Sequence, residues 1–389
     1  MPRFPHHSKS AEGLSDRVFG HLMQRAQARG IKVFPLHVGD TYREPIEAAR
    51  AEAQRTMDRP RLHNYAPVQG EPELLEAIKN KVARRHSVTL ETDNLQVMSG
   101  ATAGLGVVCT ALLSPGDELL LPAPFWPLVR GVCRFRGATP VEVPLFTRLH
   151  EPGFDPIAAL EAALTERTVA LYVNSPHNPT GETLSVPVLE RMIAFAQKHS
   201  LWLFTDEVYE DLYYGETPPR SIWTLPGAAE RSIVTHSVSK AYGLAGSRVG
   251  FSHGPREAMQ VIRGVQTFYT YCGPRPLQLG AAAALRDGDA WLSEARQEYG
   301  DAARATAEAL GQPMPSGGTF LFFDLRPHLR AGETPMQLLE RCVDNGVMLT
   351  PGSASGEAFD GWARVCFTSV APNELAQALA QLKATLADR

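Results

Sequence analysis

The segment at 235–251, THSVSKAYGLAGSRVGF, contains a single amine among small and apolar residues. Lys240 follows two hydroxyl groups, at Ser237 and Ser239, and Arg248 follows eight residues later. A lone lysine is most often a solvated surface charge. A lysine that is desolvated beside other cations becomes a nucleophile and a base near neutral pH. The segment alone leaves both interpretations open.

Polar and aromatic side chains also follow short apolar runs at other points of the chain. Each run is typical of a buried strand, and each leads directly into residue types that bind ligands or catalyse reactions. These residues are Ala101 and Thr102 after the run at 95–98, Trp126 after 118–122, Asn178 after 168–173, and Asp206 and Tyr209 after 201–204. In an open parallel sheet, ligands bind beyond the carboxyl ends of the strands. We therefore expect these residues to meet at one edge of a sheet, together with Lys240.

The elements that position these residues are predicted to alternate between strands and helices. Apolar runs at 139–143 and 232–236 join the four runs above, and 186–198 has helical periodicity behind a possible N-cap at Ser185. Such alternation predicts an α/β fold with a mostly parallel sheet and helices on both of its faces.

A smaller α+β unit is predicted from the two ends of the chain. The sequence after about residue 280 contains an alanine-rich helical run, strand-like segments at 319–325 and 363–370, and a closing amphipathic helix. The start of the chain has only a helix-like stretch at 14–29. The predicted division places 46–280 in a large ligand-binding domain and 1–45 with 281–389 in a small domain.

The totals exclude several classes of protein. A chain of 389 residues is too long to fold around one hydrophobic core of ordinary size. Its net charge is −4 and its charged residues are well mixed along the sequence, which does not suggest a nucleic-acid partner. No apolar run is long enough to span a membrane, and the first residues lack the apolar core of a secretory signal. Five cysteines without a C-x-x-C pair favour reduced thiols in a cytoplasmic protein over disulfides or a zinc site.

Each strand-end feature also has an ordinary explanation. Asp206 is a common type of helix cap, Asn178 before proline a common turn residue, and Trp126 a common core residue. The turn SGATAGL lacks the G-x-G-x-x-G pattern, which argues against a nicotinamide dehydrogenase, but such a turn still presents free N–H groups to an anion. The ordinary explanations would have to hold at five strand ends together, so we favour a ligand site.

Several segments resemble the signatures of the class I/II aminotransferases, which are pyridoxal-phosphate enzymes of fold type I. The segments are NSPHNPTG at 174–181, TDEVYEDL at 205–212 and SVSKAYGLAGSRVG at 237–250, with weaker likeness in SGATAGL, in LHNYAPVQG at 62–70 and in ARVCFTS at 363–369. Their order and spacing match, and the resemblance covers nearly the whole chain. It implies pyridoxal 5'-phosphate as cofactor and the transfer of an amino group between an L-amino acid and a 2-oxo acid.

The resemblance implies a role around the cofactor ring for five residues. Lys240 forms a Schiff base with the aldehyde and later carries a proton, and Asp206 keeps the pyridine nitrogen protonated. Asn178 and Tyr209 donate hydrogen bonds to the phenolic oxygen, and Trp126 stacks on the ring.

The resemblance also implies how the phosphate is bound. Its ligands would be the backbone N–H groups of Ala101 and Thr102, the hydroxyl of Ser237 and the guanidinium of Arg248. Tyr65, in NYAPVQG, matches a tyrosine that reaches the phosphate of the neighbouring subunit. The resemblance therefore implies a homodimer with shared active sites.

Substrate recognition is implied for residues from both predicted domains. Arg364 matches the arginine that binds the substrate α-carboxylate, assisted by Gly39 and Asn178, so binding could draw the domains together. Aspartate-type relatives use a second cation for the side chain, either a lysine in the turn or an arginine in a later segment. Here these places hold Thr102 and the aromatic segment 267–274. We therefore expect a neutral or aromatic amino acid to be the better substrate.

Some alternatives remain open at this point. Arg263 and Arg275 lie near enough in sequence to supply the missing second cation. The same cofactor also supports β-elimination, decarboxylation and cyclisation. A non-catalytic sensor would carry a basic helix-turn-helix extension, and 1–45 has no such pattern.

Overall fold

A seven-stranded sheet forms the centre of the computed structural model, which describes residues 20–55 and 58–388. Its strands are β1 (Leu95–Met98), β2 (Glu118–Ala123), β3 (Thr139–Pro144), β4 (Thr168–Asn174), β5 (Trp202–Asp206), β6 (Ser232–Ser237) and β7 (Gly250–His253). The spatial order is β1-β7-β6-β5-β4-β2-β3. The five neighbouring strands β6, β5, β4, β2 and β3 pair in parallel. Strand β7 runs antiparallel to both of its neighbours, β1 and β6.

The six strands predicted from apolar runs are confirmed, and the mostly parallel sheet is confirmed with them. Strand β7 was not expected, because its sequence GFSH mixes a glycine and two polar residues with one aromatic residue. Since β7 is antiparallel to β6 and to β1, β1 points in the same direction as β6. The carboxyl ends of β1, β4, β5 and β6 therefore share one edge.

Twelve helices surround the sheets in the described part of the chain. They are α1 (Gly20–Arg29), α2 (Glu47–Gln54), α3 (Pro72–His86), α4 (Ala101–Leu112), α5 (Pro127–Phe135), α6 (Pro156–Ala163), α7 (Val186–Lys198), α8 (Arg256–Tyr269), α9 (Arg275–Asp287), α10 (Asp289–Leu310), α11 (Pro335–Asp344) and α12 (Pro372–Ala387). The helix expected at 14–29 is observed from Gly20, and 14–19 lies outside the described residues.

Separate apolar cores on the two faces of the large sheet confirm that helices cover both sides. One core joins α4, α5 and α8 to the sheet, and another joins α6 and α7. Helix α7 buries the predicted stripe, including Leu189 and Met192. Ser185 precedes this helix as expected, but its side chain makes no capping hydrogen bond.

A three-stranded antiparallel sheet forms the second layer, in the order β8-β10-β9. Its strands are β8 (Phe320–Asp324), β9 (Thr350–Pro351) and β10 (Trp362–Cys366). Phe34 pairs with Val347 beside this sheet, and both belong to one apolar core with residues of α10, α11 and α12. The start of the described chain is thereby joined to its end.

The domain boundaries remain a prediction, and the helix bounds favour moving the one at residue 280. Helix α9 continues through the predicted boundary at residue 280 and packs against α2 and α3. We propose that the second boundary lies at Gly288, between α9 and α10.

Two further features bear on the sequence-based expectations. None of the helices in 20–55 and 58–388 is both long and apolar enough to cross a bilayer. All five cysteines are free thiols.

Candidate active site

A cavity of about 210 Å³ lies at the shared carboxyl edge of the large sheet, facing the small sheet. Its walls contain every predicted site residue except Tyr65. The lining consists of Gly39, Ala101, Thr102, Leu105, Trp126, Asn178, Asp206, Val208, Tyr209, Ser237, Ser239, Lys240, Arg248, Phe320 and Arg364. The strand ends therefore bring together side chains that are far apart in sequence.

One end of the cavity holds a buried carboxylate at the end of β5. Asp206 is only 5% exposed, and it accepts hydrogen bonds from Tyr172 Oη at 2.7 Å and from the backbone N–H of Val208 at 3.2 Å. Burial raises the pKa of this carboxyl to about 6, although both hydrogen bonds oppose the rise. No basic side chain of the described residues pairs with it. Such a carboxylate is suited to a positively charged N–H group of a ligand.

The other end of the cavity presents hydrogen-bond donors for an anion. Helix α4 begins at Ala101, and the residue before it, Gly100, has a φ of 82° and no side chain to cap the first N–H groups. A Cβ at Gly100 would lie 2.2 Å from Nη2 of Arg248, so the guanidinium packs directly on this backbone. The hydroxyl of Ser237 also faces the cavity. Free N–H groups with an adjacent guanidinium form a binding site for a phosphate.

Lys240 follows β6, which lies between β5 and β1 in the sheet, and it lines the same cavity. Its Nζ donates a hydrogen bond to the carbonyl oxygen of Gly39 and is 3.8 Å from Oδ1 of Asp40. Burial lowers the pKa of the Lys240 amine, and the charges of Arg364 and Arg248 lower it further, while Asp40 opposes the change. The surface-charge interpretation of this lysine is therefore wrong, because the amine is largely buried inside the cavity.

Arg364 extends from β10 as a buried cation, with 5% of its surface exposed. Its Nη1 donates to Oδ1 of Asn178 at 3.0 Å, and its Nη2 donates to the carbonyl of His37 at 2.9 Å and to Oγ1 of Thr350 at 3.2 Å. Its Nε has no hydrogen-bond partner among the residues that the structure describes. All the acceptors are neutral, so the guanidinium is available to a ligand carboxylate.

Asn178 and Tyr209 lie side by side on the cavity wall. The amide nitrogen of Asn178 is 3.5 Å from Oη of Tyr209. The backbone of Asn178 is fixed, because its N–H donates to Oδ1 of Asn174 at 2.8 Å. Burial raises the pKa of Tyr209, so its phenol keeps its proton and can donate to a ligand oxygen.

Three residues in the cavity wall or behind it were not expected from the sequence. Ser239, for which the sequence predicts no role, accepts a hydrogen bond from the Ser237 hydroxyl at 2.7 Å. Phe320, on β8, lies under the Arg364 guanidinium with 4.2 Å between the guanidinium carbon and the ring centroid. Tyr172 contacts Asp206 from inside β4. The only sequence signal for Tyr172 was a phenol at a position where a buried strand usually carries an aliphatic side chain.

Tyr65 lies outside the cavity, on the protein surface. It is 79% exposed, and its ring lies 5.0 Å from the ring of Tyr271 in an edge-to-face arrangement. Its predicted role belongs to a neighbouring subunit, so a position outside this chain's own cavity agrees with that prediction without testing it.

Outside the cavity, three side chains of types that bind metals lie close together. His86, Glu207 and Glu210 offer ligand atoms within 4.8 Å of one another. The ammonium of Lys81 already neutralises Glu210, from a distance of 2.5 Å. We therefore assign no metal to this cluster.

The donor set of the cavity fits a ligand with three chemical ends. The N-terminus of α4 with Arg248 suits a phosphate, the buried Asp206 suits a protonated ring nitrogen, and the amine of Lys240 suits an aldehyde. Pyridoxal 5'-phosphate carries these three groups on one ring.

Comparison with known proteins agrees with this chemistry. Residues 31–382 match the family described as aminotransferase class I and II. The chain is 30% identical to an aspartate aminotransferase of Pyrococcus abyssi, with 93% of this chain and 94% of the relative covered. It is 28% identical to an aromatic-amino-acid aminotransferase of Thermococcus litoralis, with 93% and 94% covered. The solved aspartate aminotransferase of Rhizobium meliloti superposes with a TM-score of 0.90, at 25% identity and 99% coverage of both chains. The chain thus belongs to the class I and II aminotransferases, which are pyridoxal-phosphate-dependent transaminases.

Proposed function

We propose that this aminotransferase moves an amino group between an L-amino acid with a neutral or aromatic side chain and a 2-oxo acid. The observation that carries the proposal is the lining of one cavity by a desolvated amine, a buried carboxylate and a buried guanidinium, at Lys240, Asp206 and Arg364. In this proposal the amine and the carboxylate serve the cofactor, and the guanidinium selects amino acids over simple amines.

Lys240 is assigned as the attachment point and the proton carrier. When bound, pyridoxal 5'-phosphate supplies an aldehyde that bonds to a lysine amine and a ring that accepts electrons from the substrate. With a substrate amine bound to the cofactor instead of Lys240, the Nζ of Lys240 would be free to take up and return a proton. The lowered pKa of the Lys240 amine shifts it toward the neutral form, which a base requires.

The cofactor ring is assigned to the large-sheet side of the cavity. Asp206 would hold a proton on the ring nitrogen, and Asn178 and Tyr209 would donate to the phenolic oxygen. The buried, protonated phenol of Tyr209 supports this role. Trp126, the residue directly before α5, would cover one face of the ring.

The phosphate is assigned to the start of α4. The N–H groups of Ala101 and Thr102, the hydroxyl of Ser237 and the guanidinium of Arg248 would bind its oxygens. The packing of Arg248 against Gly100 supports this assignment, because it brings the cation to the helix N-terminus.

The α-carboxylate of the substrate is assigned to Arg364, with Asn178 and the backbone of Gly39 beside it. A Cβ at Gly39 would lie 2.9 Å from Cζ of Phe320, so the backbone here packs directly on the ring under the guanidinium. Arg364 belongs to the small sheet and Gly39 packs against it, and we infer that carboxylate binding draws this side toward Lys240.

A neutral or aromatic side chain suits the rest of the lining. Arg263 donates to the carbonyls of Asp93 and Leu95, and Arg275 pairs with Glu71 at 2.7 Å. Both arginines are thus engaged away from the cavity, and neither lines it. The large apolar side chains that line the cavity are Leu105, Trp126, Val208 and Phe320.

The substrate proposal is tested by measuring kcat/KM for phenylalanine, methionine, glutamine and aspartate with one acceptor. We expect aspartate to be the poorest substrate, because its second carboxylate would be desolvated without a cation. A kcat/KM for aspartate well above the other three values would contradict the proposal.

We also propose that the protein is a homodimer in which Tyr65 reaches the phosphate of the neighbouring subunit. The support is a patch of exposed aromatic side chains, with Phe268 at 91% exposure next to Tyr269 and Tyr271. Such a patch is unusual on a monomer. Sedimentation should give twice the chain mass, and Tyr65→Phe should weaken phosphate-dependent cofactor binding. A monomeric protein that binds the cofactor with the affinity usual in the family would refute the proposal of shared active sites.

The cofactor attachment is tested by absorbance and by borohydride reduction. The purified protein should be yellow, and reduction should fix the cofactor on the peptide that contains Lys240. Lys240→Ala should lose the band, while Lys198→Ala, a change of an exposed lysine paired with Glu161, should keep it. A colourless wild type that takes up no pyridoxal phosphate would sink the assignment. Single amino acids are then added one at a time while the absorbance is recorded. Conversion of the band to that of the amine form of the cofactor would distinguish transamination from the other reactions of this cofactor.

A further inference from the structure

Tyr172 is a fully buried phenol in the middle of strand β4. It pairs in register with Phe204 of β5, and Asn174 pairs with Asp206 two residues further along. The tyrosine side chain spans this offset and reaches the carboxylate at the end of the neighbouring strand. It packs in the same apolar core as Phe204, so only its hydroxyl group requires a polar partner.

The hydroxyl contacts one specific oxygen of the carboxylate. Tyr172 Oη donates to Oδ2 of Asp206 at 2.7 Å, and the N–H of Val208 donates to Oδ1 at 3.2 Å. The two donors fix both oxygens and therefore the plane of the carboxylate. Asp206 has no cationic partner in the described part of the chain, so these two donors are what offsets its burial.

The direction of this hydrogen bond is also fixed. Burial and the adjacent carboxylate raise the pKa of Tyr172 well above its ordinary value, so the phenol remains a donor throughout the working pH range. A donor to a carboxylate stabilises its ionised form more than its protonated form. Tyr172 thus acts on Asp206 without lining the cavity itself.

We propose that Tyr172 is a positioning residue, which keeps the Asp206 carboxylate ionised and oriented toward the ring nitrogen of the cofactor. The inference rests on the proposed function, because it takes the contact between Asp206 and the ring nitrogen as given. It predicts that the tyrosine hydroxyl contributes to recognition of one atom of the cofactor.

The test compares two ligands on the Tyr172→Phe variant, which removes the hydroxyl and keeps the ring. One is pyridoxal 5'-phosphate, and the other is its carbocyclic analogue, in which C–H replaces the ring nitrogen. Dissociation constants are measured by absorbance titration of the apoprotein. We expect the constant for pyridoxal phosphate to rise about tenfold or more, since hydrogen bonds to charged groups are the stronger ones. The constant for the analogue should change less than twofold.

Two controls separate positioning from packing. Tyr213→Phe alters a tyrosine outside the cavity, whose ring lies under Arg296, and should leave both constants unchanged. If Tyr172→Phe gives too little folded protein, Tyr172→Met serves the same comparison, because the ratio of the two constants is internal to each variant.

The outcomes are distinct. Equal weakening of both ligands would mean that Tyr172 only packs, and no weakening would mean that its hydroxyl is dispensable, so either result overturns the inference. Failure of the wild type to bond pyridoxal phosphate at Lys240 would instead refute the proposed function. Selective weakening for the ligand with the ring nitrogen supports the inference.

Discussion

Replacing Arg364 by methionine tests whether its buried guanidinium binds the α-carboxylate of the substrate. The guanidinium makes three hydrogen bonds to neutral acceptors, on Asn178, His37 and Thr350, and forms no ion pair with the described residues. Burial lowers its pKa, which shows that the charge is unfavourable where it lies. A buried cation without a carboxylate is retained against the stability of the fold, so a functional partner is expected.

The expected effects on activity and on stability differ. Truncating one partner of a buried charge pair costs about 2 to 5 kcal/mol, which corresponds to a loss of roughly 30-fold to several thousandfold in kcat/KM for an amino acid. In the apoprotein, the loss of three hydrogen bonds is offset by the loss of the desolvation cost of the charge. We therefore expect Arg364→Met to change the free energy of unfolding by no more than about 2 kcal/mol.

The assay measures kcat/KM for L-phenylalanine and for L-phenylalaninol, which lacks the carboxylate, in the wild type and in Arg364→Met. The wild type should prefer the amino acid strongly, and the variant should lose most of that preference while its activity on the amino alcohol is nearly kept. An equal loss on both substrates, or no loss on either, would refute the assignment. Arg364→Lys, which keeps the charge but loses the planar pair of donors, should fall between the two.

Two predictions concern the buried charges outside the cavity. Lys81→Met should lower the free energy of unfolding by about 3 to 5 kcal/mol, because it leaves the buried Glu210 without its ammonium partner and Asp211 with only the more distant Arg85. Lys79→Met, in the same helix, should cost less than about 1 kcal/mol, because Lys79 is partly exposed and pairs with the exposed Glu76. Urea unfolding measures both, and equal effects would contradict the reasoning. Burial, and to a smaller extent the charge of Glu210, raises the pKa of Glu207 to about 8. Between about pH 4.5 and pH 8, this carboxyl is therefore ionised in the unfolded chain and protonated in the folded protein. The wild type consequently loses stability as the pH rises through this window. Glu207→Gln should therefore gain about 2 to 3 kcal/mol relative to the wild type between pH 5.5 and pH 7.5 in apoprotein unfolding, and a pH-independent difference would rule this out.

The parts of the site that could be predicted from sequence are those that follow parallel strands. A strand buried on both faces is a continuous apolar run, so Asp206 and Lys240 could be placed at one edge before any coordinates were known. Strand β7 carries polar residues and lies antiparallel, and it therefore had no such signal.

Contacts that depend on register or on the second sheet could not be predicted. Phe320 lies under Arg364 because β8 and β10 pair antiparallel, and the sequence does not specify that pairing. Tyr172 had the pattern of a core residue, and its hydroxyl became informative only when the offset between β4 and β5 was known. The surface position of Tyr65 likewise depends on an assembly that the sequence alone does not describe.

The pairing of the two chain ends has a consequence for synthesis on the ribosome. The carbonyl of His37 accepts a hydrogen bond from Thr350, which is 313 residues later, and it also accepts one from Arg364. The strands at 95–253 can associate while translation continues, but residues 34–39 must wait for partners that are made near the end. Until then Phe34 and Leu36 remain without their core, as targets for chaperones or proteases. The Arg364 pocket should consequently be the last part of the nascent enzyme to mature.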